Sequence, residues 1–168
     1  MSTTTTFYFD ISKILDKVEN NALFRARNIT QNRNPDFAEL SIVDARDFLK
    51  DHLETIASKI FDTELSQYTY GLDDLETPVE AYEFDVTYDG TPGRIVYNVV
   101  FPDIYNHKLV PAVLNAIEDA MIKFLLLEWV KVSNYDYRQN EIDYNRAMDD
   151  LRSLVARRKN LRRTYKLY

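Results

Sequence analysis

The chain has no cysteine, which removes disulfides, thiol nucleophiles and Cys-ligated metals from consideration together. Glycine is scarce, with three in 168 residues. Gly71, Gly90 and Gly93 fit neither a phosphate-binding loop nor a dinucleotide fingerprint, and no Gly-x-Ser-x-Gly elbow is present. The two histidines, His52 and His107, fall in different segments, and neither has a second histidine at ligand spacing, so no zinc site is expected. Long apolar runs are also missing. The most apolar stretch, Met121 to Val130, is broken by Lys123 and Glu128, which is too polar for a bilayer span. Met1 to Asp10 carries neither a basic region nor a long apolar run, so no secretory signal is read there.

Carboxylates do not fill these gaps. Asp44, Asp47 and Asp51 lie within two turns of one predicted helix beside His52, and a solvated acidic face is the commoner reason for such a group. Asp73, Asp74 and Glu76 lack the alternating ligands and distal Glu of a calcium loop. Asp149 and Asp150 are consecutive and point in different directions round a helix. The expectation is a protein with no catalytic residues, no metal and no cofactor.

What is present is an ordinary core and an unusual charge distribution. Residues of the apolar class make up 45%, and aromatics 13%, with twelve Tyr and nine Phe. A chain of this length forms one domain. Tyr offers a large apolar face with a wet tip, which suits either contact with partner surfaces or the rim of a core. Net charge is −6, yet Arg152, Arg157, Arg158, Lys159, Arg162, Arg163 and Lys166 follow one another with no Asp or Glu among them. Those seven cations leave −13 on the residues before Arg152. Such a split marks a tail with its own partner, nucleic-acid phosphate or the acidic surface of another copy.

Periodicity predicts the elements. Ser2 to Thr6 is a threonine run, and residues 1–9 read as a flexible N-terminal arm. Asp10 caps a helix to about Arg27 whose stripe is Ile11, Leu15, Val18 and Ala22. Ser41 and Asp44 form a capping box ahead of Ile42, Ala45, Leu49, Leu53, Ile56 and Ile60, giving a second helix to about Glu64. These two helices occupy 10–65. After an exposed loop the period changes to 2. Tyr82, Phe84, Val86 and Tyr88 alternate with polar residues, Asp89 to Gly93 turns, and Ile95, Tyr97, Val99 and Phe101 alternate again. That is a β-hairpin over 79–101, with a second strand apolar on both faces near Val96 and Val100. A third helix starts between His107 and Pro111, since proline is tolerated in a first turn, and runs to about Val132. It is apolar nearly all round, so its own chain or a neighbouring subunit must cover it. A fourth helix has Tyr137, Glu141, Tyr144, Met148, Leu151 and Val155 at helical spacing, completing 107–156. Residues 157–168 form the basic tail. The predicted fold is therefore mainly α: a bundle of about four helices with a β-hairpin inserted between helices two and three.

Over Leu109 to Tyr168, Phe124-Leu125-Leu126-Leu127-Glu128-Trp129 precedes a polar break, and a helix Tyr144 to Arg158 ends in basic residues. In this segment, and in its order of elements, the chain resembles head–tail connector proteins of tailed bacteriophages, more specifically those of crAss-like and other Bacteroides-type phages. The resemblance implies a structural virion protein, assembled in the host cytoplasm. It would form a ring of copies, commonly twelve, at the portal vertex, contacting the portal and other head–tail proteins with DNA passing through. It brings no catalytic residues. The long hairpin is larger than in minimal connectors. On this reading Arg152, Arg157, Arg158, Lys159, Arg162, Arg163 and Lys166 contact DNA or a partner, and Tyr82, Phe84, Tyr88, Ile95, Tyr97 and Phe101 face a neighbouring subunit. The alternative reading is a nucleic-acid-binding regulator that uses the tail. No membrane partner is expected.

Overall fold

The computed structural model describes residues 3–30, 42–70, 72, 79–86, 93–132 and 136–157. It is mainly helical, with four α-helices and a small three-stranded antiparallel sheet. In chain order these are β1 (Thr3–Asp10), α1 (Ile11–Thr30), α2 (Ile42–Ile60), β2 (Tyr82–Asp85), β3 (Arg94–Phe101), α3 (Val110–Val132) and α4 (Arg138–Val155). A wider helical turn at Phe61–Leu65 and a tight one at Ser66–Tyr68 extend α2 towards the sheet.

The helix signals in the sequence act as the physics requires. Asp10 caps α1, its Oδ1 accepting from Ser12 N at 3.0 Å and Lys13 N at 3.3 Å. Ile11, Leu15 and Val18 of the α1 stripe are buried, as are Leu49, Leu53, Ile56 and Ile60 of α2. A tight turn at His107–Leu109 leads into α3, placing Pro111 within its first turn, where a missing N–H costs nothing. α3 is the central helix and packs against α1, α2 and α4. Its apolar circumference is therefore covered by its own chain, without recourse to a neighbouring subunit. α4 lies along it through Tyr144, Ala147, Met148, Leu151 and Val155, with the Tyr144 ring 5.3 Å from that of Phe124.

The N-terminal segment differs from expectation. Residues from Thr3 are not an arm but strand β1, paired antiparallel along its whole length with β3, from Thr3 opposite Phe101 to Asp10 opposite Arg94. The reason lies in its side chains. Threonine is β-branched and suits a pleated surface, and Phe7 and Phe9 are two residues apart, so both enter the core. β2 pairs with the other side of β3, from Tyr82 opposite Tyr97 to Asp85 opposite Arg94. The strand order is thus β1-β3-β2. A two-stranded hairpin is marginal alone; the third strand gives it a face worth burying. Ile95, Tyr97, Val99 and Phe101 turn that face onto the helices. Gly93 sits where backbones meet: a Cβ there would stand 2.8 Å from Asp85 O and 3.0 Å from Ile11 Cδ1. The Gly93 carbonyl in turn accepts from Ile11 N at 2.9 Å, tying the start of α1 to the sheet.

Candidate interaction surfaces

The aromatic face proposed for a subunit contact is the core of the same chain. Ile95, Tyr97 and Phe101 are fully buried, Tyr82 and Phe84 are half-buried against them, and Tyr88 lies outside the described residues. The rings form a continuous set. Phe61, Tyr82 and Tyr97 stack, with Phe61–Tyr82 centroids at 5.4 Å and Tyr82–Tyr97 at 5.5 Å; Phe9 meets Tyr97 edge-on at 6.0 Å. At the other end Phe101 stacks on Tyr105 at 4.2 Å and touches Phe7 and Tyr68. The alternation was visible in the sequence, but it specifies only that one face is buried. Without β1 in view, a lone hairpin has too little chain of its own to bury that face against.

Within this stack two phenols differ. The Tyr97 hydroxyl donates to Ala57 O at 3.0 Å, whereas the Tyr82 hydroxyl is buried with no hydrogen-bond partner among the described residues. Burial pushes the Tyr82 phenol up to about 12, with Glu54 and Asp62 adding to the effect, and holds Tyr97 well above its ordinary value.

The root of the basic tail is held firmly. Tyr68 and Tyr105 donate their hydroxyls to the carbonyls of Val155 at 3.0 Å and Leu154 at 3.2 Å at the end of α4, where Leu154 O also accepts from Arg157 N at 3.3 Å. Asn106 N reaches Arg157 O at 3.5 Å. Burial, assisted by Tyr68 and opposed by Arg157, pushes the Tyr105 phenol up to about 12. Arg152 is engaged inside the fold: its Nε donates to Glu64 Oε1 at 2.9 Å and its Nη1 to Asp149 Oδ1 at 3.2 Å. The hydrogen bond and charge of Glu64 raise its pKa further, so it stays cationic and serves to neutralise a buried carboxylate. Of the seven tail cations, Arg157 is exposed at the root, and Arg158, Lys159, Arg162, Arg163 and Lys166 lie outside the described residues.

Many cations of the body are likewise paired. Arg46 bridges Asp16 and Glu19, Lys17 reaches Glu118 from α1 to α3, and Arg94 pairs with Glu83 across β3 and β2. His52 turns inward, its ring centroid 4.0 Å from that of Phe48, its Nδ1 2.8 Å from Phe48 O and its Nε2 3.9 Å from Glu128. It therefore does not face the acidic residues of α2. His107 packs edge-on against Tyr105. Among the described residues no group of three His, Asp or Glu is placed to hold a metal ion, and no helix is long and apolar enough to cross a membrane.

The face of the sheet turned away from the helices carries Thr4, Thr6 and Tyr8 from β1, Val96, Asn98 and Val100 from β3, and Glu83 and Asp85 from β2. Thr6 Oγ1 donates to Asn98 Oδ1 at 2.7 Å, and Asn98 Nδ2 to Glu80 O at 2.7 Å, so the buried amide at its centre is satisfied within the chain. This face and the β1 edge beside it are surfaces that the sequence reading missed. Their signal was the β-branched and aromatic composition of the N-terminal run.

No family model, curated protein or solved structure matches the chain.

Proposed function

We propose that the chain is a non-enzymatic structural subunit of a tailed-bacteriophage virion, one copy in a ring at the portal vertex that joins head to tail and lets DNA pass. The observation that carries this reading is the segregation of charge around a rigid root. Tyr68, Tyr105 and Asn106 fasten the end of α4, and beyond it come cations unaccompanied by any acid, on a chain otherwise strongly acidic. An acidic body lining a channel repels DNA unless cations offset it, and an anchored basic segment supplies them. The same segment can bind the acidic body of a neighbouring copy, and either use suits an assembly of many copies. The resemblance in composition and element order over Leu109 to Tyr168 points the same way, as analogy.

The native mass of the full chain, alone and mixed with its cognate portal, tests the reading. Ring-sized species or a portal-bound complex are expected. A compact monomer that joins neither portal nor particle overturns it.

The absence of any acid from the tail also favours a second reading, a nucleic-acid-binding regulator. That reading predicts binding to free duplex DNA that weakens with salt at a log–log slope of roughly −4 to −5, from five cations beyond Arg157. A chain truncated after Arg157 that binds DNA equally well rules this role out for the tail.

A further inference from the structure

β1 offers an edge that the other described residues leave unpaired. Ile11 N bonds to Gly93 O across the β1–β3 pair, and Asn98 N bonds to Ala81 O across the β3–β2 pair. Bonding in an antiparallel ladder alternates, so the odd residues of β1 bond to β3 while Thr4, Thr6 and Tyr8 present N–H and C=O outward. Among the described residues no strand lies beyond them. The edge also lacks the usual protection. From Thr3 to Phe9 there is no proline, no charge and no break in register, and Tyr8 is 55% exposed. The opposite edge, β2, is four residues long, packs against α2 and carries Glu83 and Asp85.

The occupant we propose is the segment Arg163–Tyr168 of a neighbouring copy, added antiparallel to β1. This rests on the reading that copies assemble, and names the contact. Arg163-Thr164-Tyr165-Lys166-Leu167-Tyr168 alternates, with Tyr165 and Leu167 on one face and Thr164 and Lys166 on the other, and is rich in strand-forming residues. Beside β1, Tyr165 and Leu167 continue the row of Phe7 and Phe9, and Thr164 and Lys166 lie along the row of exposed Thr4, Thr6 and Tyr8. Charge favours the match, because a basic segment meets a body that carries −13 before Arg152. The assembly reading selects a neighbour over the same chain. Arg157 is tied to Asn106, a few residues past Phe101, so the tail leaves from the end of the sheet where β1 begins. The six Cα–Cα steps from Arg157 to Arg163 reach about 20 Å fully stretched, against roughly 17 Å for a six-residue antiparallel strand that ends beside Thr3, so chain length admits either source and the cross-link below decides between them. A head-to-tail contact between copies closes into a ring where the rotation from one copy to the next divides a full turn.

The absence of native cysteine makes the test direct. Cysteine is placed at Thr4, Thr6 or Tyr8 in one preparation of the full chain and at Thr164 or Lys166 in another, and the two are mixed under mild oxidation. Facing residues in such a pair sit about 5.5 Å apart between Cα atoms, within disulfide range. A disulfide joining two copies is expected for at least one pair, at several times the yield of a urea-unfolded control. Tyr165→Asp and Tyr8→Pro, the latter removing an outward amide and no bond to β3, are each expected to weaken self-association at least tenfold. No link above the control for any pair, or a chain carrying both cysteines that closes only on itself, overturns the proposal. If the disulfide forms but no ring or portal complex does, the edge contact stands and the virion reading fails; a ring unaffected by Tyr165→Asp has the opposite meaning.

Discussion

Tyr82 and Tyr97 stack on each other yet make opposite predictions. Replacing Tyr97 by Phe deletes a buried hydrogen bond to Ala57 O and leaves that carbonyl with fewer partners, so a loss of about 1 kcal/mol is expected in urea unfolding. Tyr82→Phe removes a hydroxyl that is buried with no hydrogen-bond partner among the described residues, so stability is expected to stay level or rise by up to about 1 kcal/mol. The same phenols give a pH dependence. Tyr82 and Tyr105 are raised from 10.0 to about 12, and burial holds Tyr97 well above its ordinary value as well. Above pH 10 the unfolded chain loses these protons while the folded chain keeps them. The unfolded state then binds fewer protons, so the urea midpoint is expected to fall as pH rises from about 10 to 12; ultraviolet titration of the native protein should show a matching late-ionising fraction. Arg152 belongs to this scale too. Arg152→Ala strands Glu64, only 6% exposed, without its cation, and is expected to cost about 1 kcal/mol, limited because the arginine itself is 54% exposed and its pair partly screened. Stability, not partner binding, is the quantity that should move.

At the scale of elements, the helices were legible because each carries a period of 3.6 between recognisable ends. Asp10, Pro111 and the α4 seam of Tyr144, Met148, Leu151 and Val155 all sit where the pattern put them. The two strands flanking the turn were legible from alternation. β1 was not, since four threonines carry little hydrophobicity, and their strand preference acts only once β3 offers a partner. The burial of the Tyr82–Phe101 face followed from that omission: a three-stranded sheet has a core side that a hairpin alone does not. Gly93 joins these elements. Gly93→Ala forces a Cβ against Asp85 O, a backbone atom with no rotamer to yield, and is expected to cost about 1–3 kcal/mol in denaturant unfolding.

Across the whole molecule, the acidic body and basic tail were legible by counting, but the division point was not. The count began the tail at Arg152, whereas packing ties that residue to the fold through Glu64, and Arg157, exposed at the root, is the next cation along. Long-range pairing between positions 88 residues apart leaves no trace in local sequence. Packing also removes one motive for assembly, since α3 is covered within the chain, and supplies another in the open β1 edge. On the proposed reading, charge and edge together suit the unit to joining its own kind. Imaging the portal vertex of assembled particles tests that claim most directly. The account predicts density for this fold repeated around the portal axis, with the Arg157 end of each copy directed at DNA or at the next copy. Particles whose vertex contains no copy of the chain would contradict it.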